Sequence, residues 1–429
     1  MRIIPKQGVC DPHVHVFEGK AYMYTSHDRA PGLPIYRMDD WQIFSSDDLL
    51  NWKLEAVVHP EDTFLGKCEE CYATDAAERN GKYYFYFSHQ QYCTGVAVSE
   101  NGPAGPFKDA LGKPLLPKGM VPTFCYDPCV FIDDDEDKTP YIIFGITTFG
   151  RQYYIARLNE DMISLAEEPK PVELINGWER DAAQITKRGG VYYLNTHRGL
   201  YATADNIYGP YTYRGKFCND AYVDHGTFFT YHNQTYLTYG VPENYHEDEK
   251  EDIFYRTTKM IYAHYKDNGD IVTDPFIEDA GVGQYDANWD YIKGEWFFAA
   301  SDGIYKKEND DGFELRGIKN NSYICFKNVN NMRQNAQIFL RASNGNKKPC
   351  IIEIREDSPF GTVLGCCKIN STTVPTSFKE VACRLENTHG THNLCFVFKG
   401  EDEEVRRFED FRFEHIKPCK RFVCKAKSI

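Results

Sequence analysis

No stretch of the 429 residues approaches the roughly 20 consecutive apolar residues that a membrane-spanning helix needs. The opening segment, Met1 to Gln7, carries charge but no long apolar core, so it does not read as a secretory signal. A cytoplasmic location is the expectation, or a secreted one if a leader has been removed. Basic residues are outnumbered: 49 Lys and Arg face 63 Asp and Glu, for a formal net charge of −14. That balance argues against nucleic acid or an anionic membrane as the main partner. A phosphate-binding glycine loop, a HExxH zinc motif and a GxSxG elbow are all missing, so those chemistries are not expected. Cysteine is not scarce, but the 15 are odd in number and scattered. Free thiols are the simpler reading. Cys68-Glu69-Glu70-Cys71 has no second half at zinc spacing and predicts no metal site.

What the chain has in quantity is aromatic side chains, 15% of it, led by 30 Tyr and 28 Phe. Such residues suit strands, and their faces also stack on sugar rings. Aromatic strands recur at Lys20–Tyr24, Lys82–Phe87, Tyr141–Gly145, Val191–Leu194 and Gln234–Tyr239. Most follow a turn signal: Gly19, Asn80-Gly81, Gly189-Gly190 and His232-Asn233. Their anchor tyrosines, Tyr22, Tyr83, Tyr141, Tyr192 and Tyr236, lie 61, 58, 51 and 44 residues apart. Periods of that size, each holding several short strands, indicate a β-propeller.

The phasing is tighter than the period. Asp11, Tyr72, Asp181 and His225 each stand 11 residues before an anchor tyrosine. Asp127 stands 14 before its own, across a turn swollen by Asp133–Lys138. The innermost strands of five repeats would therefore present Asp11, Tyr72, Asp127, Asp181 and His225 at one level around the axis. One aspartate alone would read as a turn cap. Three acids in phase point to acid/base chemistry at a shared funnel.

These residues carry a resemblance. Asp11-Pro12-His13-Val14-His15, Ser45–Trp52, Cys71–Asp75 before Asn80-Gly81, Asp127–Asp134 and Lys187–Leu194 occur in the order seen in glycoside hydrolase family 43. The resemblance covers about residues 1–284 and implies a five-bladed propeller that cleaves arabinose- and xylose-containing glycans with inversion. It implies that Asp11 is the general base and that Asp127 tunes the acid. The family's acid is usually a glutamate, where this chain has Asp181, one methylene shorter; Glu179, two residues earlier, is the alternative. Inversion needs acid and base roughly 6.5–9.5 Å apart with a water between. By the same resemblance His225 helps hold a central calcium or water cluster, and Arg256 contacts sugar hydroxyls or the acid pair. His13, His27, Trp41 and Tyr72 complete the substrate-binding candidates, His27 at the funnel rim and Trp41 by stacking.

After Gly281–Asp286 the character changes. The strings Tyr323–Val329, Ile351–Arg355, Ser358–Gly361, Gly390–Gly400 and Phe408–Phe413 read as short strands with turn residues, which agrees with a β-sandwich. They resemble a family 6 carbohydrate-binding module. Glu295 and Asp410 match positions that hold a structural calcium in such modules, and oxygen ligands suit that ion. The sugar-binding face is less convincing, because Thr373–Phe378 lacks a tryptophan and Glu401–Arg406 replaces a polar asparagine. The expected architecture is all-β: a propeller over 1–284, a jelly-roll sandwich over 285–416 and a basic tail over 417–429. The expected partner is an oligosaccharide, with calcium and no organic cofactor. Two readings compete: a glycosidase acting on arabinofuranosyl or xylosyl linkages (a galactoside specificity is a variant of it), and a degenerate propeller that only binds glycan.

Overall fold

The computed structural model describes residues 1–414 except 91, 147–151, 178–180, 219–221, 245–250, 373–376 and 402–405. It is built almost wholly of strands, in two compact units: Met1–Tyr231 with Thr235–Val282, and His232–Gln234 with Gly283–Ile429. No helix among the described residues is long and apolar enough to cross a membrane.

The first unit is a five-bladed propeller. Blade 1 runs outward through Val9–Phe17, Lys20–Asp28, Met38–Ser46 and Lys53–Val58. Blade 2 takes Cys71–Arg79, Lys82–His89, Cys93–Ser99 and Lys108–Asp109; blade 3 takes Cys129–Ile132, Pro140–Phe144, Tyr154–Arg157 and Lys170–Pro171. Blade 4 comprises Gln184–Arg188, Val191–Thr196, Leu200–Ala204 and Tyr211–Lys216, with Leu174–Ile175 added in parallel at its edge. Blade 5 holds Asp224–Tyr231, Gln234–Asn244 and Glu251–Tyr262 and receives its outermost strand, Arg2–Ile3, from the first residues of the chain. The innermost strands touch in cyclic order, the fifth against the first.

The hairpins follow from turn chemistry. Glu18-Gly19, Asn80-Gly81, Gly189-Gly190 and His232-Asn233 all carry positive φ at both residues. Two-residue loops of that kind match the right-handed twist of the strands they join. The aromatic second strands are buried on both faces because each blade packs on its neighbours. Trp41, Phe85 and Phe87 fill the space between blades 1 and 2. Tyr86, Ile142 and Phe144 fill the next, Ile143, Leu194 and Tyr211 the one after, and Leu237, Tyr239 and Phe217 the space between blades 4 and 5.

At the axis the binding is polar. Asp75 of blade 2 is fully buried and holds two imidazoles and two backbone amides. His13 Nδ1 and His15 Nε2 of blade 1 lie 3.0 and 2.6 Å from Oδ1. The amide of Ala76 donates to the same oxygen at 2.7 Å, and that of Val130 in blade 3 donates to Oδ2 at 2.6 Å. Burial alone would raise this carboxyl; His13 and His15 together overcome that and hold it below the usual range. One carboxylate thus ties the strand that carries Asp11 to the strand that carries Asp127.

The second unit packs two sheets face to face. One is ordered Tyr285–Asp286, Tyr323–Met332, Gly390–Lys399, Cys350–Glu356, Val363–Ile369; the other Tyr305–Asn309, Gly312–Ile318, Arg406–Phe413, Gln337–Asn344, Lys379–Arg384. Phe326, Phe396 and Phe411 meet at its centre, Phe411 with ring centroids 4.8 Å from each of the other two. Cys325 and Cys395, cross-strand partners in the first sheet, form a disulfide. The expectation of free thiols therefore fails at this pair, because strand register brings two distant cysteines face to face.

Removing Asp75 strips two imidazoles and a blade-3 amide of their acceptor at a buried site. Asp75→Ala is expected to cost about 3–5 kcal/mol of stability at neutral pH. Because the folded pKa is depressed, the contribution is present above the unfolded value of about 3.9 and fades as pH falls through the folded one. Denaturant titrations across pH check this; a variant as stable as the parent at neutral pH would contradict it.

Candidate active site

Four residues at the inner ends of blades 1, 3, 4 and 5 have left-handed backbone: Asp11 at φ 49°, Asp127 at 50°, Ala182 at 61° and His225 at 48°. None is glycine, so each conformation costs about 1–2 kcal/mol. The return is a turn that swings the strand start toward the axis. Asp11, Asp127 and His225 are themselves the turned residues. In blade 4 the turned residue is Ala182, and Asp181 precedes it, as Asp224 precedes His225. The equal spacing from Asp181 to Tyr192 therefore does not mean an equal backbone position. Asp181 still reaches the site, from one step earlier in the strand.

The strand starts line a cavity of about 230 Å³ together with Tyr36, Tyr72, Tyr126, His197 and Arg256. Arg256 organises its floor. The buried guanidinium donates to Asp11 Oδ1 at 2.5 Å, to Asp224 Oδ2 at 2.7 Å and to Asp28 at 3.0 and 3.1 Å. The Tyr36 ring covers it, 4.5 Å from centroid to guanidinium carbon. His225 Nε2 stands between acids, 3.6 Å from Asp11 and 3.8 Å from Asp127. The Thr227 hydroxyl donates to the Pro12 carbonyl at 2.7 Å and pins the Asp11 turn, while Ser88 accepts from the Asp127 amide at 3.0 Å.

Charge is distributed unevenly. Burial, then repulsion from Asp181, Asp11 and Asp224, pushes the Asp127 carboxyl well above the usual carboxylate range. Burial would lift Asp224 too, but His197, His225 and Arg256 together outweigh it and hold this acid below the usual range. Burial pulls His225 below the ordinary imidazole value despite the acids beside it. The site thus sets Asp127, with its carboxyl pushed up, beside Asp11 and Asp224, which are bound to Arg256.

Asp11, Tyr72, Asp127, Asp181, His225 and Arg256 come together as the sequence predicts. Arg256 is found on the acids Asp11, Asp28 and Asp224. Three other candidates do not line the cavity. Trp41 is fully buried against Phe85 and Phe87, with its indole donating to the Tyr72 carbonyl at 2.7 Å, so it packs and cannot stack on a sugar. His27 pairs with Asp40 at 2.9 Å. His13 is buried on Asp75. Glu179 lies outside the described residues. Sequence reasoning missed Asp224, Tyr36, Tyr126 and His197 as site residues and placed Asp28, with His27, only at the funnel rim. Asp28 and Asp224 adjoin the histidines that were singled out.

At both expected calcium positions the acids already have cationic partners. Asp11, Asp224 and His225 offer ligand atoms within 4.8 Å of one another, yet both carboxylates are already held by Arg256. Calcium takes six to eight oxygens, and a guanidinium there already supplies the positive charge. In the second unit Glu295 and Asp410 border a cavity of about 260 Å³ with Glu409 and Asp311. Arg341 reaches Glu409 at 2.8 Å and Asp410 at 3.5 Å, and Lys293 lies 3.8 Å from Glu295. No three acids converge there among the described residues. Burial leaves Asp410 up at about 6.

The profile of glycosyl hydrolases family 43 matches residues 3–200, and that of carbohydrate binding module family 6 matches residues 297–415. A xylosidase/arabinosidase from Bacteroides ovatus is 30% identical over 332 residues, 63% of this chain and 96% of that protein. The chain belongs to glycosyl hydrolase family 43. An arabinoxylan arabinofuranohydrolase from Paenibacillus polymyxa is 24% identical over 91% of this chain and 70% of its own length. A solved family 43 β-xylosidase/α-arabinofuranosidase from a compost microbial metagenome, in complex with xylotriose and described as a calcium-free form, has a TM-score of 0.55. It is 27% identical and covers 64% of this chain and 96% of that one. As a family 43 member the protein is a glycoside hydrolase.

The buried Asp127 carboxyl sets a pH test. A carboxyl whose folded pKa is raised favours the fold at low pH and loses that advantage as pH rises. Asp127→Asn is expected to be more stable than the parent near about pH 8 and to converge with it near about pH 4. Melting temperatures across that range check it; a variant less stable than the parent at the alkaline end would contradict it.

Proposed function

We propose that this family 43 protein releases arabinofuranosyl or xylosyl units from hemicellulose-type oligosaccharides by single displacement with inversion. The observation that carries the reading is the convergence of Asp11, Asp127 and Asp181, from three separate blades, on one cavity beside Tyr72 and Tyr36. The relatives named as xylosidase/arabinosidase and arabinofuranohydrolase, and the neighbour holding xylotriose, support the sugar class.

In this mechanism Asp11 accepts a proton from water as the water oxygen bonds to the anomeric carbon. Arg256 and the Thr227–Pro12 contact fix the orientation of Asp11. Asp181 supplies a proton to the departing glycosidic oxygen. Asp127, whose carboxyl is pushed up by burial and by repulsion from Asp181 and Asp11, tunes and orients the acid. Tyr72 presents a ring to the sugar.

The shorter acid favours a second reading, a propeller that binds glycan without cleaving it. The two diverge on turnover. Asp11→Asn is expected to lose about 10²–10⁴-fold in kcat on aryl xylosides or arabinofuranosides, the share general base catalysis supplies. Unchanged turnover in Asp11→Asn would refute the base assignment. A parent that binds xylo-oligosaccharides yet turns over no aryl glycoside would establish the binder.

A further inference from the structure

Tyr126 has no role in the mechanism above, yet it is placed to have one. It immediately precedes Asp127, is buried for all but 5% of its surface, and still lines the cavity. Its hydroxyl donates to Asp181 Oδ1 at 2.9 Å. Phe124 meets its ring edge-on, with centroids 6.4 Å apart, which limits how the phenol can swing.

A hydroxyl in contact with a carboxyl can accept its proton and pass on its own. Asp181 is also about 1.5 Å shorter in reach than a glutamate at the same place. The Tyr126 phenol oxygen, 2.9 Å from the carboxylate in the same cavity, can carry the proton across that gap.

We propose that Tyr126 is a catalytic residue, the group that hands the proton of Asp181 to the glycosidic oxygen. When Asp181 is protonated this contact runs the other way, and in one concerted step the carboxyl O–H gives its proton to the Tyr126 oxygen. The Tyr126 O–H gives its own proton to the leaving oxygen as the bond from that oxygen to the anomeric carbon breaks. Tyr126 ends as it began, a neutral phenol, and Asp181 ends as a carboxylate. On the other face water adds to the anomeric carbon and loses a proton to Asp11. One water is consumed, two hydroxyls are formed, and no oxidant or reductant is involved. The proposal rests on reading Asp181 as the acid.

The test compares leaving groups. Aryl β-xylosides and aryl α-arabinofuranosides of graded phenol acidity, with xylobiose as the poor leaving group, are assayed on the parent, Tyr126→Phe, Asp181→Asn and the double variant. Activated aryl glycosides need little acid help and also report whether each variant is folded. Tyr126→Phe is expected to lose about 10²-fold in kcat/KM on xylobiose and the poorest phenols. On dinitrophenyl glycosides it is expected to change by less than about threefold, and the double variant is expected to be no worse than Asp181→Asn, since the two act as one unit. An equal loss on good and poor leaving groups makes Tyr126 structural and overturns the relay. A gain on poor leaving groups means that the phenol only holds Asp181 ionised, which also overturns it. If Asp181→Asn leaves poor leaving groups untouched, or the parent cleaves neither series, the acid assignment itself falls and the relay with it.

Discussion

The site depends on one buried cation. Arg256, in the third strand of blade 5, bonds Asp224 of its own blade and Asp11 and Asp28 of blade 1. Blades 5 and 1 are the last and first of the ring, so the same guanidinium that neutralises the acids also ties the closure at the axis. Arg2–Ile3 ties it at the rim by backbone pairing. Three carboxylates cannot remain ionised in a buried floor without such a partner, because each would carry an uncompensated desolvation penalty. Arginine suits the place better than lysine, since its planar fork serves several acceptors at fixed angles. Ring closure and the placing of Asp11 are therefore one interaction.

A second layer of the same kind lies beneath it. Asp75 holds the strands after Asp11 and Asp127 through His13, His15 and the Val130 amide. The left-handed turns at Asp11, Asp127 and His225 need that support, because strained backbone persists only where its surroundings over-determine it. The propeller is apolar between blades and ionic at the axis, and the ionic part is where chemistry is possible.

Much of this was legible in the chain. Turn pairs and tyrosine anchors gave five blades, and the phase of Asp11, Asp127 and His225 placed them at the axis. The misreadings share a cause. Neighbours in a strand face opposite ways, so choosing His27 and His225 as site residues left Asp28 and Asp224 unassigned, although those acids carry the contacts to Arg256. Trp41 lies on a third strand, where both faces meet neighbouring blades, and no pattern in its own segment shows that. Asp181 kept the spacing while the backbone shifted by one residue, because strand counting does not see a left-handed alanine. The cations beside the acids expected to face calcium were hidden in the sequence, because Arg256 and Arg341 come from distant strands.

In the proposed reaction a water on the Asp11 face displaces the leaving group in a single step. Proton NMR of the anomeric signal, recorded as the first sugar is released, tests that directly. Inversion predicts that the first product carries the anomeric configuration opposite to the substrate, with its mutarotation partner growing in later. A first product of the same configuration as the substrate would show a covalent glycosyl intermediate and contradict the account.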